Sequence, residues 1–140
     1  MYYCSMYSFE TNLRVRYGET DQMGFVYYGV YAQYFEVGRV ELLRSLGISY
    51  KALESMGFIL PVVQMNINYK KPAFYDDELI IRTMVRLLPS TKIVFHYETF
   101  NEHGDLINTA KVILVFVNKE TKRPCLAPSV IIDRFREKFG

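Results

Sequence analysis

The 140-residue chain contains no tryptophan and only two cysteines, Cys4 and Cys125. Two thiols are too few for a disulfide framework or a zinc site, and they point to a reducing, cytoplasmic setting. An excess of charge of one sign is missing too. Lys and Arg number 17 against 15 Asp and Glu, a formal net of +2. That balance calls for no nucleic-acid partner, and any anion site has to be local. Long apolar runs are absent: the longest, VILVFV at residues 112–117, is far short of the roughly 20 residues that span a bilayer. The opening MYYCSMYSFE has neither the basic start nor the apolar stretch of a signal peptide. No linker, repeat or low-complexity segment breaks the chain. One domain over residues 1–140 is expected, with enough hydrophobic material for a core.

What the chain does have is aromatic rings, 12 Tyr and 10 Phe. They supply a core and, beyond it, an apolar pocket or a subunit interface. Strand-like alternation recurs. Leu13, Val15 and Tyr17 alternate with Arg14 and Arg16, and Met65, Ile67 and Tyr69 with Asn66, Asn68 and Lys70. Leu79, Ile81, Val85 and Leu87 fall opposite Arg82, Met84 and Arg86, and Ile93, Phe95 and Tyr97 opposite Val94, His96 and Glu98. Residues 106–117 end apolar on both faces, as in a central strand. NEHGD at 101–105 reads as a hairpin turn with Gly104 at positive φ, and NKETKRP at 118–124 as an exposed loop.

One long helical pattern stands among the strands. Tyr31, Tyr34, Phe35, Gly38, Leu42 and Leu46 recur at helical spacing between Val30 and Leu46, with Gly47 as the stop. Gly38 in mid-helix implies that a sheet approaches closely there. Shorter helices are expected over Ser49–Met56 and Ser129–Phe139. The intervals between the later strands are short, which suggests successive antiparallel hairpins. The expected fold is α+β: one mostly antiparallel sheet of about five strands wrapped around one long central helix.

Between the first strand and that helix lies TDQMGFVYYG, residues 20–29. Asp21 is a lone carboxylate just ahead of a helix N-terminus, expected near Tyr28–Val30. Unpaired N–H groups and the positive end of the helix dipole there suit a developing oxyanion. A carboxylate opposite such amides is the minimal kit for acyl transfer. The plainer reading is that Asp21 bonds its own backbone and shapes the turn.

The stretch RYGETDQMGFVYYGVYAQYFEVGRVELLRSLG resembles the signature of hotdog-fold acyl-CoA thioesterases of the 4-hydroxybenzoyl-CoA thioesterase type. The resemblance continues through INYKKPAFYDDELIIRT, RLLPSTKIVFHYET and AKVILVFVNKETKRP, almost the whole chain. It implies a hotdog fold, pairing into a homodimer with a continuous sheet or a dimer of dimers, and an active site at the subunit interface. It also implies hydrolysis of an acyl-CoA, with Asp21 as nucleophile or general base and the N–H of Tyr28 as oxyanion donor. A phenol cannot replace an imidazole in acid–base work at neutral pH, so the Tyr28 ring is expected to position the thioester. Tyr27, Val62, Val63 and Gln64 are implied as substrate contacts. Lys70, Lys71, Arg86, Ser90 and Lys92 are implied as a basic rim for coenzyme A, with Pro89 a departure from the usual polar or basic residue.

Related hotdog enzymes carry the acid on the helix, where Glu36 and Glu41 are the candidates; Glu36 is instead expected to hold Arg39 or backbone groups. His96 and His103 are expected to be structural or exposed. No motif for a metal, nicotinamide, flavin or nucleic acid is present, and no cofactor is expected beyond the coenzyme A of the substrate. An acyl-carrier-protein thioesterase and a non-catalytic acyl-binding hotdog module are the alternatives. Tyr27, Tyr28, Tyr31 and Phe58 suit either an aryl pocket or a fatty-acyl tunnel.

Overall fold

The structure is a computed structural model that describes residues 6–139, so Cys4 lies outside the described residues. Alternation of Tyr7, Phe9 and Leu13 with Ser8, Glu10 and Asn12 makes the first strand, β1 (Tyr7–Arg14). This strand starts and ends earlier than expected. Val15 is buried just past it, bonded through its N–H to Asp77 (2.9 Å) and through its C=O to Asp76 (3.0 Å). Tyr17 is not on a strand face at all but sits exposed in a single 3-10 turn.

The long helix, α1 (Tyr31–Ser45), ends on the expected glycine. Gly47 takes φ +78°, its N–H donates to Arg44 C=O, and the Ile48 N–H reaches back to Leu43 C=O, the paired bonds that close a helix on a left-handed residue. Gly38 lies against the sheet as its position implied. A Cβ there would stand 2.5 Å from Thr83 Oγ1 and 3.1 Å from Ile81 Cγ2. Phe35 stacks on Tyr97, centroids 4.4 Å apart, in the middle of the core. The short helix α2 (Tyr50–Ser55) is capped by Ser49 Oγ accepting from Ala52 N–H, and α3 (Ser129–Phe139) closes the chain with Phe135 edge-on to Tyr7.

Between them run β2 (Phe58–Ile59), β3 (Val62–Tyr69), β4 (Glu78–Val85), β5 (Lys92–Asn101), β6 (Leu106–Val115) and β7 (Val117–Asn118). β2 and β7 make a small pair of their own. The other five form one antiparallel sheet in the order β1-β4-β5-β6-β3. The hotdog arrangement of a long helix against a five-stranded antiparallel sheet is therefore present.

The expected hairpin succession holds only for β4, β5 and β6. β3 does not pair with β4; it lies at the opposite edge, on β6. Alternation reveals that a segment is a strand but not which strand it joins, and the β3–β4 link is long enough to choose. Three strand spacings are about 14 Å, and eight residues reach about 25 Å. Leu87 is a second correction: it lies past the end of β4 and is exposed.

As an edge strand β3 leaves Val62, Val63, Met65 and Tyr69 exposed. An edge with open backbone groups and uncovered apolar side chains is a template for a further strand. Among the described residues no helix is long and apolar enough to cross a membrane.

Candidate active site

After the 3-10 turn Tyr17–Glu19 the chain doubles back as a miniature hairpin. Tyr27 N–H donates to Glu19 C=O (2.9 Å), Thr20 bridges Val26, and Asp21 N–H donates to Phe25 C=O (2.8 Å). Gly24 at the tip takes φ +82°, where any side chain would be strained. Asp21 Oδ1 accepts from the N–H groups of Met23 (2.9 Å) and Phe25 (3.3 Å). The turn-forming role of this residue is thus real. One oxygen fixes the carboxylate to the turn, while the other has no partner among the described residues.

The β3–β4 link holds this hairpin from the side. Val26 N–H donates to Ala73 C=O (2.8 Å), and Phe25 bridges Phe74 with the rings edge-on at 5.4 Å. The topology that the strand pattern did not reveal is what anchors the loop.

A second 3-10 turn, Tyr28–Val30, runs directly into α1. No side chain caps it, and the N–H of Tyr28, first in the turn, has no acceptor within the helix. Beside it is an open depression of about 270 Å³ whose walls include Phe25, Tyr28, Tyr31, Tyr69, Lys70 and Lys71. Asp21 is not itself a wall; it faces Phe25 across the hairpin. Tyr69 Oη donates to Tyr28 C=O (3.2 Å) and so ties the edge strand to the helix start. Burial, with Tyr69 adding to it, pushes the Tyr31 phenol up to about 12, so this wall is neutral at any ordinary pH. Lys71 pairs with Asp105 at 3.5 Å, and Lys70 makes no ion pair among the described residues. Tyr27 and Tyr28 stand with centroids 4.5 Å apart, both exposed.

One residue that the sequence reading passed over holds this region together. Glu19 is 9% exposed, and both its oxygens are occupied. Oε1 accepts from Arg16 N–H (2.8 Å) and Tyr34 Oη (2.8 Å), and Oε2 from Arg16 Nη2 (2.9 Å) and Nε (3.1 Å). Burial alone would raise its pKa, but the Arg16 backbone and guanidinium and the Tyr34 hydroxyl outweigh it and leave the carboxyl below its ordinary value. Glu19 therefore locks the hairpin base to α1. The spacing of Arg16 and Glu19, three residues apart at the start of a turn, was the available signal.

The remaining expected site residues lie elsewhere on the chain. Val62, Val63 and Gln64 are at the opposite end of β3 from Tyr69, seven residues or roughly 23 Å away for the first of them. Lys92 pairs with Val115 at that same far end, Ser90 sits in the turn before it, and Arg86 follows the end of β4. Lys70 and Lys71 are at the near end, both bonded through their N–H groups to Ile107 C=O. A single chain thus splits the expected rim in two. His96 lies on the outer sheet face, its pKa lowered by burial and by Arg86 and Lys111, and His103 is exposed in the β5–β6 turn. Glu36 is exposed and, contrary to expectation, makes no ion pair with Arg39 among the described residues.

The chain is 38% identical over 119 residues to the putative acyl-CoA thioesterase YneP of Bacillus subtilis, covering 85% of this chain and 86% of that one. It is 33% identical over 129 residues to the acyl-CoA thioester hydrolase YbgC of Escherichia coli, covering 92% and 96%. The crystal structure of DHNA-CoA thioesterase from Staphylococcus aureus superimposes with a TM-score of 0.82 at 39% identity, covering 85% of this chain and 80% of that one. The model of the thioesterase-like superfamily matches residues 15–135. With that match over most of its length, on this sheet and this helix, the chain belongs to the thioesterase-like superfamily.

Proposed function

We propose that this protein hydrolyses an acyl-CoA thioester to the free acid and coenzyme A, at a site shared by two chains. The observation that carries the reading is the Asp21 hairpin. It presents a carboxylate with one oxygen fixed by the turn and the other without a partner among the described residues, seven residues ahead of the uncapped Tyr28 amide at the head of α1, and the Phe25 that it bonds is a wall of the depression. A thioester carbonyl between the two would meet a base or nucleophile on one side and a donor for its developing negative charge on the other. Asp21 either attacks the carbonyl, expelling the thiolate and leaving a mixed anhydride for water to open, or takes a proton from the water that attacks.

The split of the remaining residues supports the shared site. In a two-fold dimer, antiparallel pairing of two β3 edges would lay the Val62–Gln64 end of one strand along the Tyr69 end of its partner. The wall residues, and with them the Arg86–Lys92 region, would then approach Asp21, Tyr28, Lys70 and Lys71 from the second chain. The basic groups suit the phosphates of coenzyme A.

The test is thiol release from a panel of short, long and aromatic acyl-CoAs, with an acyl-carrier-protein thioester as the competing donor. Asp21→Asn is expected to lower kcat by roughly 10²–10⁴ without changing the melting curve, the range for one positioned acid–base group. Near-wild-type turnover by this variant would overturn the assignment. Light scattering is expected to give a dimer or tetramer at micromolar concentration; a monomer would remove the shared site.

A further inference from the structure

The last residue of β3 reaches across to the head of α1. Tyr69 packs its ring against Tyr31, centroids 5.8 Å apart, and its hydroxyl donates to Tyr28 C=O at 3.2 Å. Among the described residues this is the only side-chain hydrogen bond between β3 and the turn that opens the helix. Burial and the neighbouring Tyr28 hold the Tyr69 phenol above its ordinary value, so the group stays protonated and able to donate across the neutral range. The ring is half exposed and forms part of the wall of the depression.

The Tyr28–Val30 turn is restrained differently on its two sides. Its N side is closed by backbone alone. Val30 N–H donates to Tyr27 C=O (2.9 Å), and Tyr27 N–H to Glu19 C=O (2.9 Å). The Tyr27–Tyr28 peptide is trans, so its Tyr28 N–H points opposite to the Tyr27 C=O that closes the turn. On the other side no side chain caps the turn, and Gly29 brings no side chain to pack. The Tyr69 hydroxyl supplies a restraint there, because it holds the carbonyl of the peptide that follows Tyr28. With both flanking peptide planes held, the two backbone dihedrals of Tyr28 are set, and with them the direction of its N–H.

We propose that Tyr69 is a positioning residue for the Tyr28 amide, acting on the reaction by aiming that N–H rather than by bonding the substrate. The effect on rate rests on the thioesterase reading, while the effect on the turn does not. A donor aimed at a developing oxyanion bonds more strongly in the transition state than in the ground state. A poorly aimed one therefore lowers kcat and leaves KM in place.

Tyr69→Phe keeps the ring on Tyr31 and removes only the hydroxyl. Outright loss of an oxyanion donor costs roughly 10²–10³ in kcat. A donor that remains but is less well aimed is expected to cost about tenfold, with KM for the same acyl-CoA within about twofold of the wild type and the melting curve unchanged. Amide hydrogen exchange at Val30, whose N–H closes the turn, is expected to quicken about threefold or more in this variant. Exchange at Leu53, whose N–H bonds Ser49 C=O in α2, is expected to stay the same. A merely structural role would move the melting curve, and a substrate contact would raise KM, without this pattern. The proposal is overturned if Val30 exchange is unchanged, if kcat stays within about twofold of the wild type, or if the loss appears in KM alone. If the wild type hydrolyses no acyl-CoA, the thioesterase reading fails, and exchange at Val30 by itself decides whether Tyr69 holds the turn.

Discussion

The two ends of α1 treat buried charge in opposite ways. At the front, Glu19 is sealed in and every lone pair direction it offers is used, by two groups of Arg16 and by Tyr34. Asp21 is fixed through one oxygen by two backbone amides. In the second half of α1, the Arg39 guanidinium is buried against the hydroxyls of Tyr50 and Tyr97, with no carboxylate in an ion pair with it among the described residues. A carboxylate with all its bonds made rigidifies its surroundings, whereas a buried cation held only by neutral hydroxyls keeps part of its desolvation cost. The front holds its geometry through charged bonds, the rear through packing and neutral hydroxyls.

The largest effect expected from this contrast separates the two acids that could carry the chemistry. Glu36→Gln is expected to cost less than about tenfold in kcat, against roughly 10²–10⁴ for Asp21→Asn. A folded Glu36→Gln enzyme without activity, beside an active Asp21→Asn enzyme, would move the catalyst from the loop to the helix and reverse the comparison.

Glu19 sharpens it next. Glu19→Ala leaves the Tyr34 hydroxyl buried without its acceptor and is expected to cost about 1–3 kcal/mol of stability, with a fall in kcat as the hairpin loosens. The carboxyl is held below its ordinary 4.5 in the fold. Its contribution to stability is therefore complete above that pH and is lost as pH falls through the lower folded value. Melting curves from neutral to acid pH are expected to drop at that end for the wild type and to drop less for Glu19→Gln. Identical profiles would show that Glu19 does not lock the loop.

Gly38→Ala probes the middle of the helix, between the two regions. The added methyl meets Thr83 Oγ1 and Ile81, and overpacking of this kind is expected to cost about 1–3 kcal/mol. Thermal unfolding checks it, and an unchanged melting temperature would mean that α1 can lift off the sheet. The smallest effect belongs to the rim. Lys70→Ala with Lys71→Ala is expected to raise KM for an acyl-CoA several-fold with kcat nearly intact, and to leave a truncated acyl-pantetheine thioester unaffected. Equal effects on both substrates would place the nucleotide elsewhere.

The sequence by itself determined the elements. Period-two runs and one helical stripe mark four of the five sheet strands and α1, and overlap only the end of β1, because each element has to present an apolar face to a core. Gly47, Ser49 and Gly104 mark stops and turns, because few residues can do what they do there. Asp21 stood out as a candidate because a lone charge next to a helix start in an aromatic stretch is locally odd, whereas Tyr28 was named through the family resemblance. Only the tertiary structure decided the rest. The place of β3 at the far edge, the hold of the β3–β4 link on the Asp21 hairpin and the separation of Val62–Gln64 from Tyr28 all depend on which strands meet, and alternation is the same for every partner. The burial of Glu19 and Arg39 was hidden for the same reason: Tyr34 closes over one, and Tyr50 and Tyr97 over the other, from other segments, and burial of a charge is a property of the packed molecule.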